Sequence, residues 1–291
     1  MRVLVTGING LLGYDVWQAF EKKHEIFGCD NSEKPDFLDK KQWLNFDITD
    51  EKITYETITK VNPDLVLHLA AYSDVDGCEK RPDVAYRVNA SGTRNIAVAC
   101  QRFDTAMCYI STDYVFDGDN TPEEGYGEAD RTNPCGVYGK SKYMGEYYVR
   151  HLLNKFYIVR TAWLFGSKRN NFVTGIVNSV KENKKITVVR DQTGSPTYTK
   201  DLAEALLELV EKPLYGVYHI TNSGWTDRVG IVNEVFKLLG EKTEVELKTR
   251  KEVFFAPRPA DSRMKNLMWR VEGFKPLRTW QEAVKEFIRN K

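Results

Sequence analysis

Apolar residues fall in short unbroken runs rich in β-branched side chains: "RVLVT" (2–6), "EIFGCD" (25–30), "DLVLHLAA" (64–71), "AMCYIS" (106–111) and "FYIVRT" (156–161). Between them, apolar positions recur every three or four residues. The runs predict strands, and the intervening pattern predicts helices at about 11–22, 51–60, 82–103 and 140–152. A strand without a polar face is covered on both sides, as in a parallel sheet, whereas a strand of an antiparallel sandwich would alternate. Strand and helix in strict turn therefore predict an α/β fold, a Rossmann-type doubly wound parallel sheet.

Beyond "RTAWLFGSKRNN" the rhythm loosens. Helices are expected at about 171–183, 200–211, 227–239 and from Thr279, strands at "ITVV" and "GVYHIT", and the loops carry more Pro and Gly. This divides the chain into a dinucleotide-binding domain, 1–165, and a smaller C-terminal α/β substrate-binding lobe, 166–291. Some of the lobe's segments are expected to pack back on the first domain, with the ligand cleft between the two. "RKEVFFAPRP" (250–259) reads as an edge strand entering a loop, with Phe254 and Phe255 in the core. Tyr143, Tyr147 and Tyr148 read as helix packing.

Composition narrows the function. The net charge is +1, from 42 basic and 41 acidic residues, so no broad field recruits nucleic acid or an anionic membrane, and the expected ligand is a small molecule. No apolar run reaches the roughly 18 residues that span a bilayer, and "MRVLVTGING" lacks a signal peptide's apolar core, which places the expected site of action in the cytoplasm. Five cysteines without a CxxC pair read as reduced structural thiols, and four histidines without an HxxxH pair offer no catalytic metal a ligand set.

Gly7, Gly10 and Gly13 follow the first strand and open the first helix, the position where glycines allow a tight turn, backbone approach to a pyrophosphate and close helix packing. With Asn9, Leu11 and Leu12 they form the candidate phosphate loop. Asp30 ends the second strand, where a carboxylate accepts hydrogen bonds from the adenosine ribose and repels a 2′-phosphate, so NADH is favoured, while Lys34 leaves NADPH open. Asp47 and Ile48 are placed to flank the adenine, although Asp47 reads equally as a turn or cap residue. The small Ala70 and Ala71, with Tyr72, would let a cofactor lie over the strand ends.

Tyr138 and Lys142 are four residues apart and share one helix face. An ammonium beside a phenol lowers the phenol's pKa and equips it as a general acid and base, and the same lysine can hold the nicotinamide ribose. Gly139 and Ser141 are expected to leave room for both ligands. Thr112, or the alternative Ser111, ends the fourth strand, where a hydroxyl can donate to a substrate carbonyl. Asn89 either orients the lysine through a relay or is an ordinary helix polar residue.

Taken together with "VNASGTRN", "STDYVFDG", "YGKSK", "RTAWLFG", "DQTGSPTYTKDLAEAL", "GVYHITNSG" and "RPADSRMKN", these motifs resemble the extended short-chain dehydrogenase/reductase family over nearly the whole chain. Within it they are most similar to the branch that reduces dTDP-linked 4-keto-6-deoxy sugars. The resemblance implies a Thr112, Tyr138 and Lys142 triad, with Asp113 and Tyr114 beside it, Trp163 reaching the sugar, and Arg258 near the sugar or its phosphates. It implies a nucleotide-sugar substrate, dTDP-4-dehydro-L-rhamnose reduced at C4 by NADH or NADPH, and a family that can form homodimers, sometimes through magnesium.

"GWTDRVGI" departs from the family's usual helix opening at 224–231. A 4,6-dehydratase would want a second acid after Asp113, where Tyr114 stands, and an epimerising reductase would want a Cys and His pair near the sugar. A non-catalytic dinucleotide-binding subunit, resembling that of methionine adenosyltransferase, is disfavoured by the complete Thr, Tyr and Lys set.

Overall fold

A computed structural model describes residues 1–291. The apolar runs become β1 (Arg2–Thr6), β2 (Glu25–Asp30), β4 (Leu65–His68), β5 (Ala106–Thr112) and β6 (Phe156–Thr161), and β3 (Trp43–Asn45) adds a short strand at one edge. The remaining strands are β7 (Leu164–Phe165), β8 (Ile186–Val189), β9 (Thr193–Gly194), β10 (Thr197–Tyr198), β11 (Gly216–His219), β12 (Thr226–Asp227) and β13 (Val245–Lys248). Seven of them form one parallel sheet in the order β11-β6-β5-β4-β1-β2-β3. The expected doubly wound α/β fold is present, and its topological switch lies between β1 and β4, the crevice where such sheets take ligands.

Alternation within the strands fills both faces. Val3 and Val5 pack with α1 (Gly13–Phe20) and α8 (Thr199–Val210), while Leu4 faces the opposite layer of α2 (Glu51–Val61), α5 (Thr93–Arg102) and α6 (Val137–Leu152). Continuous burial on both sides is why these strands carry no polar face. The chain returns to this sheet after Phe165, because α8 packs on α1 and β11 extends the sheet beside β6. A separate core gathers α7 (Phe172–Lys181), β8, α9 (Arg228–Leu239) and α12 (Trp280–Arg289). In this smaller mass β13 pairs in parallel with β8, and α12 starts on a Thr279 and Glu282 capping box. No helix is long and apolar enough to cross a membrane.

Four local expectations are corrected. The helix expected over 82–103 is three pieces: α4 (Pro82–Tyr86), a π-turn at Arg87–Gly92, and α5. The wide turn inserts extra backbone where Asn89 faces inward, a common use of π-bulges at functional sites. The edge strand expected at 250 is the short helix α10 (Arg250–Val253), because Thr249 and Glu252 form a capping box that the sequence T-R-K-E already spells. Phe255 is 66% exposed and not core. Tyr143 and Tyr147 stand on the outer face of α6 at 39% and 49% exposure, so they do not pack under it. The unpredicted β3 and α3 (Val75–Lys80) are too short to show a period. The first forms by pairing Trp43 with Gly28, the second on an Asp74 cap that accepts from the Gly77 amide.

Candidate active site

The phosphate loop is built from backbone constraints. Gly7 has φ +69°, and a Cβ there would lie 2.6 Å from Ala70 backbone atoms; a Cβ at Gly13 would lie 2.0 Å from the Ile8 carbonyl. These positions admit only glycine. The N-cap of α1 is Leu12, which has no side-chain cap, so the free amides of the first turn suit a pyrophosphate, while the Gly10 amide closes the loop by donating to the Gly7 carbonyl at 2.9 Å.

The Asp30 carboxylate accepts from the Asn9 amide at 3.2 Å and from the Ser32 amide and hydroxyl at 3.2 and 2.8 Å. It shapes the rim of the loop at the end of β2. Lys34 turns its ammonium onto the Pro35 and Leu38 carbonyls. Asp47 accepts from the Thr49 amide at 2.8 Å, the turn geometry weighed above, and the Ile48 side chain is buried among the residues between α2 and α5.

Ala70 and Ala71 follow β4 directly, and the Ala70 amide donates to the Thr6 hydroxyl. His68 joins the two strands, with Nδ1 2.7 Å from Thr6 Oγ1 and Nε2 3.0 Å from Thr93 Oγ1. Because the Thr93 hydroxyl donates to the Asn89 carbonyl, it accepts from Nε2, and Nδ1 accepts from Thr6. Burial pushes the His68 pKa down to about 3, so the ring is neutral.

Asn89 is not bonded to Lys142. Its amide clamps both backbone groups of Tyr72, at 2.8 and 3.0 Å, and donates to Ser141 Oγ at 3.0 Å. It fixes the end of β4 against α6. Gly139 and Ser141 leave no ligand space, contrary to expectation: a Cβ at 139 would meet the Tyr114 carbonyl at 2.1 Å, and Ser141 is fully buried. Both are small so that α6 can approach its neighbours.

Thr112 and Tyr138 meet at the carboxyl end of β5, and Lys142, one turn on along α6, lies against Tyr109 of the same strand. The Thr112 hydroxyl donates to Asp113 Oδ1 at 3.0 Å and accepts from the Tyr114 amide at 3.1 Å, whereas Ser111 is committed to Glu146 at 2.6 Å. The Tyr138 ring is half-buried and stands edge-on to Tyr114 at 5.7 Å. Its pKa is raised, first by burial and then by Asp113, with the Thr112 hydroxyl acting the other way. The net shift is upward, against the lowering expected from Lys142, whose ammonium lies 4.1 Å over the Tyr109 ring in a cation-π contact.

Burial pulls Lys142 itself from 10.5 down to about 7, with Glu146 opposing. The unfolded chain therefore holds the extra proton between pH about 7 and about 10, and wild-type stability rises with pH across that window. Lys142→Met, which has no charge to bury, is expected to melt above wild type at pH about 6, with the gap closing as pH rises to about 10. Thermal midpoints across that range check this, and a constant gap would contradict it.

Behind the triad, Glu146 continues the face of Tyr138 and Lys142 by one more turn of α6. It is fully buried and bound twice by Arg160, at 2.9 and 2.8 Å. The i, i+4, i+8 spacing was legible in "YGKSKYMGE"; its partner on β6 was not.

Asp113 is 2% exposed and accepts from Ser262 Oγ at 2.5 Å, and burial lifts its pKa to about 6. Trp163 adopts φ +46°, a region rarely taken by bulky side chains and often kept for function. Arg258 pairs with Asp76 at 2.9 Å and lies 3.6 Å over Phe254. Two neighbours escaped the sequence reading: Gln192, 3.4 Å from the Tyr114 hydroxyl, and Arg228, 3.5 Å over the Trp163 ring. Only the departure of "GWTDRVGI" from the usual motif marked that segment.

A doubly wound sheet, a glycine loop at its switch point, and a Tyr and Lys pair beside a strand-end threonine define a dinucleotide-dependent dehydrogenase/reductase of the short-chain class. The chain belongs to the RmlD substrate binding domain family, whose model matches residues 1–291. It is 37% identical over 290 residues to a dTDP-4-dehydrorhamnose reductase of Mycobacterium tuberculosis (strain ATCC 25618 / H37Rv), covering 97% of this chain and 91% of that one. It is 34% identical to the spore coat polysaccharide biosynthesis protein SpsK of Bacillus subtilis (strain 168), covering 100% and 98%. The crystal structure of a dTDP-4-dehydrorhamnose reductase from Bacillus anthracis str. Ames in complex with NADP superposes with TM-score 0.91 at 38% identity, covering 100% and 99% of the two chains.

Proposed function

We propose that this protein is a cytoplasmic NAD(P)H-dependent reductase that converts dTDP-4-dehydro-L-rhamnose to dTDP-L-rhamnose in nucleotide-sugar biosynthesis. What supports the reading is a chain matched over residues 1–291 by the reductase family, with Thr112 at the end of β5 beside Tyr138 and Lys142 one turn further along α6.

The loop from Gly7 to Gly13 would hold the pyrophosphate, Asp30 the adenosine ribose, and Lys142 the nicotinamide ribose. The reduced nicotinamide, when bound, supplies the hydride. Thr112 donates to the C4 carbonyl oxygen and stabilises the charge that grows there. Tyr138, protonated at neutral pH in its raised state, delivers its proton to that oxygen. A charged Lys142 beside the ribose would favour the phenolate that proton delivery leaves. Asp113, Tyr114, Trp163 and Arg258 line the sugar side, within a cleft between residues 1–165 and the lobe of 166–291.

Asp30 favours NADH, since its carboxylate sits where a 2′-phosphate would be repelled. Purified protein given dTDP-4-dehydro-L-rhamnose is expected to oxidise both NADH and NADPH, with the higher kcat/KM for NADH, and to yield dTDP-L-rhamnose. A preference for NADPH would overturn the role of Asp30. Absence of turnover with either, despite dinucleotide binding, would overturn the reductase reading.

A further inference from the structure

Arg228 opens α9, with Asp227 capping the helix through the Gly230 amide. Its guanidinium carbon is 3.5 Å from the centre of the Trp163 indole, a stacking distance, and 4.9 Å from the centre of the Phe172 ring, and its Nε is 3.4 Å from Gln192 Oε1. Gly194 also lies against the indole: a Cβ there would come within 2.5 Å of the ring. Glycine backbone and a guanidinium thus both pack on Trp163, which adopts a positive φ.

Stacking uses the face of the guanidinium and leaves its edge. Both Nη groups lack a hydrogen bond within the protein, and Arg228 has no carboxylate partner at ion-pair distance. Asp113, whose charge reaches it, already accepts from Thr112 and Ser262. Arg258 is close enough to act on Arg228 as a like charge, and both act on Tyr114. Two neighbouring cations repel unless an anion sits with them, and of the two only Arg258 has a carboxylate at ion-pair distance, in Asp76. A planar fork with a free edge matches two oxygens of a phosphate.

We propose that Arg228 is a substrate-binding and specificity residue, which clamps the Trp163 platform with its face and binds a phosphate oxygen pair of the nucleotide sugar with its edge. This rests on the nucleotide-sugar reading above and assigns that site a residue outside the motifs that define it.

The test compares wild type, Arg228→Met and Arg228→Lys for binding of dTDP, thymidine and inorganic pyrophosphate by calorimetry, after NADH affinity confirms that each is folded. Loss of a charge-assisted contact is expected to weaken dTDP and pyrophosphate by about tenfold to a hundredfold in Arg228→Met while leaving thymidine unchanged. Arg228→Lys keeps the charge but loses the planar face, and is expected to recover part of that affinity. Equal weakening of dTDP and thymidine, or a dTDP affinity within about twofold of wild type, overturns the proposal. If wild type binds pyrophosphate and Arg228→Met does not, yet neither binds dTDP, the anion site stands and the thymidine-nucleotide reading falls. If wild type binds none of the three probes, the anion site falls.

Discussion

Tyr138→Phe is expected to bind reduced dinucleotide as wild type does and to turn over at least about a hundredfold more slowly. The substitution removes one oxygen and keeps the ring, so the edge-on contact with Tyr114 and the packing of α6 persist. What disappears is the proton that must reach the substrate oxygen as it gains negative charge. Thr112 remains to polarise the carbonyl, so residual activity should survive. The raised pKa of Tyr138 keeps the phenol protonated through neutral pH in the ligand-free protein, the state a reduction requires. Single-turnover kinetics with fluorescence titration of NADH separate the effects. Turnover within about tenfold of wild type would assign proton delivery to another group.

The second large effect concerns stability. Arg160→Met is expected to destabilise the fold by about 3 kcal/mol, because it removes the bidentate partner of the buried Glu146 carboxylate and leaves only the partly exposed Arg150, at 3.5 Å, within ion-pair distance. Both side chains are almost fully buried, at 0% and 1% exposure, and the pair is bidentate, with Ser111 adding a third contact to Glu146. Arg160 also faces His219 Nε2 at 3.4 Å, and that ring is kept neutral by burial and by Arg160 itself. The double replacement Glu146→Leu with Arg160→Met removes both charges and is expected to regain most of the loss, since a well-packed apolar pair often matches a buried ion pair. Urea denaturation of the three proteins checks this. A single variant within about 1 kcal/mol of wild type would show that water reaches Glu146.

These two sites differ in how far the sequence revealed them. The Tyr138 and Lys142 pair was legible because residues four apart on a helix share a face whatever surrounds them. The phosphate loop was legible for the same reason, since three glycines between a strand and a helix state a backbone requirement that is local. The parallel sheet followed from strands with no polar face. The direction of the Tyr138 pKa did not follow. Spacing alone suggested that Lys142 would lower it, yet in the folded chain burial is the largest influence and raises it, while the Lys142 ammonium lies over Tyr109 of β5.

By itself, then, the sequence determined the long strands and helices, their alternation, and the chemistry whose members are neighbours on one helix or one turn. Only the tertiary structure decided which distant side chains meet. Asp113 finds Ser262 across 149 residues, Glu146 finds Arg160 on another element, and Arg228 lies on Trp163. Periodicity reports which face of an element is buried but carries no information about the residue opposite it. Burial, which sets the charge state of Lys142, Asp113 and His68, is a property of that packing, and no window of sequence contains it.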